Sequence, residues 1–353
     1  MEVLDAEVRP RSRTVWFVLG AVVLLLGTGL VRLVGPARPP GPAPASSAGP
    51  PVRAVRNVWP QHGEIGSGTL FALSDGEVHR IDGADGRLET TGVRLDAIDT
   101  RLTRVQGGVL VWLASGGAQR RLIRSTDPRP RPVRGALRTA ETFLAGEGGA
   151  VWTATGRAAS GGTTTWQLVG RDGDVTAEVE VSGRAASDGA GGLLDVEGDG
   201  FRQVHPPPAG PLVTGELIGS GPDGYLSRTC TDDGRCTARL HDPGTGEARV
   251  VGLAPPMEAL PGTVSPGNRF VTLGVLGEPT GAIQVRELGS PRVLRSFIED
   301  GPAGGSAAWL SDRWVALISG NGGIVLYDAV GDEAIRPELP LTTTVQQLVW
   351  CSA

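Results

Sequence analysis

Cys230 and Cys236 flank the pentapeptide Thr-Asp-Asp-Gly-Arg and are the residues whose type and spacing speak most directly of chemistry. If Asp232-Asp233-Gly234 is a three-residue hairpin loop, Thr231 pairs with Arg235 and the two cysteines face each other across the strands. Directly opposed cysteines can lie within bonding distance. A disulfide in an oxidising compartment is the expected reading. Two reduced, half-buried thiols are the alternative, and a zinc site would need two more ligands, for which His205 and His241 are the nearby histidines. The third cysteine, Cys351, has no partner and is expected to be buried in a strand.

Other patterns with chemical potential read as turns. Residues 219–224 (GSGPDG) match G-x-G-x-x-G, but a phosphate cradle needs a helix after it, and residues 225–229 read as strand. Residues 195–200 (DVEGDG) resemble the start of a calcium loop, yet the twelfth position is Pro206, where the loop needs a bidentate Glu. There is no G-x-S-x-G elbow, and His62, His79, His205 and His241 are scattered without ligand spacing. Most carboxylates sit beside glycine in turns. The tryptophans fit strand positions better than sugar platforms, with Trp59, just after a Pro-rich stretch, the candidate for exposure. No catalytic, cofactor-binding or metal-binding residue is assigned, and a binding role is expected over an enzymatic one.

The elements that position these residues begin with an apolar run. Residues 15–34 carry one charge, Arg32, and can span a bilayer as a single helix. A cleaved signal peptide has a shorter apolar core with a small-residue site directly after it. Here the nearest Ala-x-Ala is Ala43-Pro44-Ala45, so an uncleaved signal anchor is expected. Arg9, Arg11 and Arg13 precede the run and Arg32 and Arg38 follow it, which favours a cytoplasmic N-terminus, and the cysteine pair favours an outside body. Residues 1–14 are then a short cytoplasmic tail, and residues 35–55, rich in Pro, Gly and Ala, a spacer in extended form. Every one of the 33 basic residues is Arg, and the net charge is −5. The body reads as mildly acidic with no basic stripe, which argues against a nucleic-acid partner.

From about residue 56 the chain has no convincing helix. It holds 54 Gly and 27 Pro, which fits an all-β body with many turns. Short apolar runs recur at 69–74 (TLFALS), 109–114 (VLVWLA) and 150–155 (AVWTAT), with Trp112 and Trp152 read as equivalent. Runs at 193–196, 225–229, 270–273 and 315–319 continue the series, with a blurred boundary near 206–208. A strand ending in Asp, then a Gly-containing turn, recurs at Asp82, Asp242 and Asp328. A repeat of this length with four short strands is the signature of a propeller blade. On these runs and hairpins the body resembles the WD40/PQQ-like β-propeller superfamily in a divergent bacterial form. The Gly-His and Trp-Asp signatures of WD40 repeats are not present.

That resemblance implies seven blades over residues 56–353. Residues 307–311 (AAWLS) enter one inner strand, and 348–352 (LVWCS) repeat that entry just before the chain's last residue. Residues 343–350 are therefore expected to supply the inner strand of the first blade and close the ring. The expected function is a membrane-tethered extracytoplasmic module that binds or scaffolds a protein or small ligand. A quinone-dependent or carbohydrate-active propeller enzyme, and a docking subunit of an envelope assembly, are the alternatives.

Overall fold

The structure is a computed structural model describing residues 59–60 and 64–352, apart from 97, 116–118, 156–161, 171, 257, 277–280, 299–306 and 342. The expected tail, anchor and spacer (1–55) lie outside the described residues, as does His62. Among the described residues no helix is long and apolar enough to cross a membrane.

The body folds into seven sheets, or blades, antiparallel within each blade. Blade 1 combines Gly68–Ser74, Glu77–Asp82 and Leu88–Arg94 with Val345–Ser352 as its innermost strand. Blade 2 runs Thr100–Val105, Gly108–Leu113, Arg121–Arg124 and Asp127–Pro132, and blade 3 runs Thr142–Ala145, Val151–Ala154, Thr164–Val169 and Val175–Val181. Blade 4 holds Arg184–Ser187, Leu193–Glu197, Gly200–His205 and the two-residue Val213–Thr214. Blade 5 holds Glu216–Gly221, Gly224–Cys230, Cys236–His241 and Ala248–Val250. Blade 6 holds Ala259–Leu260, Phe270–Val275, Ala282–Glu287 and Val293–Ile298, and blade 7 holds Ala307–Trp309, Trp314–Ile318, Ile324–Asp328 and Glu333–Ile335. The described helical turns are short 3-10 pieces such as Gly135–Arg138.

The second strand of each blade explains the apolar runs. Successive side chains point to opposite faces of a strand. In Gly68–Ser74, Leu70 and Ala72 pack toward blade 7 while Phe71 and Leu73 pack toward blade 2. Gly108–Leu113 repeats this, with Val109 and Val111 on one side and Leu110 and Trp112 on the other. Both faces are buried between neighbours, so the run is continuously apolar instead of alternating. Seven such clusters fill the seams between blades. Each fully buried Leu or Phe contributes about 1.5–3 kcal/mol by leaving water. Trp112 and Trp152 both face the next blade, but they are not equivalent: Trp112 is the fifth residue of its strand and Trp152 the second.

The last strand closes the ring. Val345–Ser352 pairs antiparallel with Gly68–Ser74, placing Trp350 opposite Leu70 and Leu348 opposite Ala72. It starts two residues later than expected because Thr343 and Thr344 are used before it: the Ser74 hydroxyl lies 2.9 Å from the Thr343 carbonyl oxygen, and the Val345 N–H donates to the Gly322 carbonyl. It runs on to Ser352 because Cys351 still pairs with Thr69. The seam to blade 2 is fastened by one side chain. Gln347 accepts the Leu102 N–H at Oε1 and donates from Nε2 to the Leu102 carbonyl, both at 2.8 Å.

The blurred boundary resolves as follows. Residues 206–208 are the turn between the third and fourth strands of blade 4, not a blade edge. The step to blade 5 is short because the outer strand of blade 4 has two residues and Glu216 opens the next blade almost at once. The Asp-turn markers all fall between third and fourth strands, in blades 1, 5 and 7. In all three copies the carboxylate caps the turn: Asp82 accepts the Ala84 N–H, Asp242 those of Gly244 and Thr245, and Asp328 that of Val330.

Candidate functional site at the channel mouth

In a four-stranded antiparallel blade, the turns after strands one and three share one face and the turn after strand two lies on the other. Neighbouring inner strands run the same way, as the parallel pairing of Gly219–Ser220 with Gly262–Thr263 shows. The C-terminal ends of the inner strands therefore gather at one mouth of the central channel. Five of them surround a cavity of about 550 Å³, with Arg104 and Gln106 from blade 2, Gly148 and Gly149 from blade 3, Gly191 from blade 4, Pro222 from blade 5 and Ser352 from blade 1.

Glycine is required here because backbone meets backbone. At Gly191 φ is +110°, and a Cβ would lie 2.2 Å from the Glu147 nitrogen. At Gly149 φ is +79°, and a Cβ would lie 2.1 Å from the Gln106 Cβ. That close approach lets the Gln106 N–H donate to the Gly149 carbonyl and tie blade 2 to blade 3. Both positions combine a left-handed φ with no room for a side chain.

Apart from Arg104 and Gln106, the polar side chains described at the mouth hold these turns. Asp188 is 1% exposed, and its Oδ1 accepts the N–H groups of Ala190, Gly191 and Gly192 at 2.8–2.9 Å. Burial pushes its carboxyl up, and the three N–H groups and nearby His205 only partly offset that. Trp152 donates from Nε1 to the Gly191 carbonyl at 2.9 Å, linking blade 3 to blade 4. His205 meets the Trp152 ring edge-on at 4.9 Å, with Nε2 3.4 Å from the Glu147 carboxylate.

Between blades 4 and 5 lies a pair that the sequence did not reveal. Ser227 Oγ and His241 Nε2 are 2.8 Å apart, on facing strands. A serine in contact with a histidine is the core of a nucleophile–base device. Here both residues are 1% exposed, His241 stacks on Tyr225 at 4.9 Å, and Phe201 closes the edge. His241 Nδ1 has no hydrogen-bond partner, so nothing plays the orienting acid. Burial, with a smaller push from Arg239, brings the His241 imidazole down to about 4. A buried, neutral imidazole walled by aromatic rings is a core element.

The other sequence candidates separate. Cys230 and Cys236 are joined by a disulfide across a three-residue loop, with Thr231 N–H donating to Arg235 O, on the face opposite the mouth. That pairing leaves neither sulfur for zinc, and His205 and His241 sit at the far ends of their strands. Residues 222–223 form the tight turn of the blade 5 hairpin. Asp195 accepts the Ser182 and Gly183 N–H groups and pairs with Arg202. Cys351 donates from Sγ to the Gly108 carbonyl, and burial pushes its thiol up to about 12. Trp59 is half-buried, donating to the Gly83 carbonyl at 3.0 Å. His79 is buried in blade 1, and burial lowers it. Among the described residues no group of three or more His, Cys, Asp or Glu is placed to hold a metal ion. The mouth residues went unread, although Gly107-Gly108, Gly148-Gly149 and Gly191-Gly192 recur at inner-strand ends and mark it.

No protein-family model matches the chain, and no curated protein matches it in sequence. Solved structures do. A provisionally assigned 6-phosphogluconolactonase from Bacteroides uniformis aligns over 81% of this chain and 99% of its own, at 13% identity and a TM-score of 0.52. A second protein with that provisional assignment, from Bacteroides fragilis, aligns over 83% and 99% at 11% identity and a TM-score of 0.47. The Dos1 propeller aligns over 82% and 88% at 10% identity and a TM-score of 0.42. The body is a seven-bladed β-propeller. At these identities the likeness is one of fold, and a propeller does not fix what its loops bind.

Proposed function

We propose that this propeller is a membrane-tethered, extracytoplasmic binding or scaffolding module that holds a partner on the face carrying the channel mouth. Residues 15–34 anchor it in the bilayer with the N-terminus inside, and residues 35–55 hold the ring off the membrane. The observation that carries this reading is how the mouth is built. Its wall is glycine backbone with exposed Arg104 and Gln106, while Asp188 and Trp152 are spent on holding the turns and His205 is packed among them. A rigid, side-chain-poor rim with a few exposed polar groups suits recognition more than proton transfer. The disulfide supports an oxidising compartment for the body. Nucleic acid is not the partner proposed.

A photo-crosslinking residue placed at Gln106 in native membranes tests this. One protein species should be captured from position 106 and not from Asp232 on the opposite face. Equal capture from both positions, or none from 106, overturns the reading. Protease added to intact spheroplasts tests the topology: the body should be digested, and full protection would overturn it.

A further inference from the structure

The cleft between blades 2 and 3 has a different chemistry from the mouth. It encloses about 320 Å³. Its floor is apolar: Leu110, Leu137, Val151 and Val169 are buried, and Leu122 is half-buried. The linker carrying Leu137 forms one wall, fixed where the Ala136 N–H donates to the Gly173 carbonyl. The rim carries three arginines, Arg124, Arg131 and Arg134, and one carboxylate, Asp172. Arg131 is held by Asp127 at 2.8 Å. The Arg124 and Arg134 guanidinium groups make no ion pair or hydrogen bond among the described residues.

The segment that builds the rim is basic in an acidic protein. Residues 120–138 contain seven arginines (120, 121, 124, 129, 131, 134 and 138) and one acid, Asp127, while the chain's net charge is −5. The expected body without a basic stripe is thus corrected here. Such a patch over an apolar cleft draws anions toward it. The outer edge beside it does not suit a peptide strand, because Pro128, Pro130 and Pro132 offer no N–H to a further strand. The volume holds about ten water-sized groups, too few for a two-chain lipid.

We propose that this cleft binds a small amphiphilic carboxylate, with its head on Arg124 and Arg134 and its apolar body against Leu110, Leu137 and Val151. Guanidinium groups bind carboxylates through paired, charge-assisted hydrogen bonds. The cleft adjoins the mouth: Gln106 and Gly149 line both cavities, while Arg124 and Arg134 line the cleft and Arg104 the mouth.

The test is calorimetric titration of the full chain in phosphatidylcholine nanodiscs with 2-naphthoate, against 2-naphthylmethylammonium and empty nanodiscs. Naphthoate should bind at a single site and the ammonium should not. The double substitution R124Q/R134Q, which removes both rim charges, should weaken naphthoate roughly ten- to hundredfold. L122W, which narrows the cleft and leaves the arginines in place, should weaken it as well. Equal binding of the two probes, unchanged affinity in R124Q/R134Q, or no naphthoate binding up to millimolar concentration would each overturn the proposal. A crosslink placed at Arg104, which lines the mouth and not the cleft, reads the proposed function separately.

Discussion

If the Gln347 clasp fastens the ring, removing it should loosen the seam between blades 1 and 2 before any other. Both of its hydrogen bonds, at 2.8 Å, go to the backbone of one residue, Leu102, in the inner strand of blade 2. That strand has a hydrogen-bonded neighbour only on its outer side, so Gln347 stands in for a second strand at this point. Gln347→Met keeps the length of the side chain and removes both bonds. Each lost bond to a half-buried backbone group costs about 1 kcal/mol or slightly more, so the variant should be less stable by about 2–3 kcal/mol. Gln347→Glu should be at least as damaging, since a carboxylate can accept from the Leu102 N–H but faces the Leu102 carbonyl as a second acceptor. Denaturant unfolding would read the global loss, and hydrogen exchange would read the Leu102 amide. In Gln347→Met that amide should lose protection while amides in blades 4 and 5 change little. An unchanged unfolding midpoint together with an unchanged Leu102 exchange rate would show that the closing strand holds by pairing with Gly68–Ser74 alone.

Three further outcomes are expected. Deleting residues 342–353 removes the inner strand of blade 1 and bares Gly68–Ser74 as an edge, so the body should unfold or aggregate; an unchanged melting temperature would refute the closure. Stability should rise from about pH 4 to 6.5, because over that window the unfolded chain protonates His241 and the folded one, whose imidazole sits at about 4, does not. The contribution is about 3 kcal/mol, and S227A/H241F, which removes both partners of the hydrogen bond, should flatten the profile by that amount; a profile identical to wild type would sink the assignment. Thiol titration should find no readily reactive thiol in the native protein, one after denaturation (Cys351) and three after denaturation with reductant. Loss of the short 230–236 loop closure should cost about 2 kcal/mol, and three thiols without reductant would disprove the bridge.

What could be read from sequence was whatever local geometry dictates. The run at 69–74 is apolar at every position because a strand buried on both faces has no solvent side, and the Asp turns recur because each ends the same kind of hairpin. Closure was legible because the 348–352 entry repeats that at 307–311, and its strand pairs with Gly68–Ser74 of the first blade. What could not be read depends on contacts between blades. Trp112 and Trp152 look alike in their runs, but register across the blade separates them by three strand positions. Ser227 and His241 are fourteen residues apart in sequence and neighbours only through the pairing of two strands. The arginines at 120–138 are a visible run in the sequence, but they become a rim only because the linker through Leu137 folds against blade 3 and leaves a floor beneath them.

This difference bears on where function can sit in such a ring. Seven seams must be dry, so a polar group inside one must be satisfied there, as Ser227 Oγ and His241 Nε2 satisfy each other, or it destabilises the fold. The mouth must let five inner-strand ends approach, and the approach is close enough to demand glycine at 149 and 191. Neither a dry seam nor a glycine turn offers a polar side chain with freedom to act. The places that do are the incompletely filled seam, here between blades 2 and 3, and the exposed groups at the rim of the mouth. In a divergent propeller the informative residues are therefore the polar ones that no seam or turn already uses, and at the mouth and the blade 2–3 cleft these include Arg104, Gln106, Arg124 and Arg134.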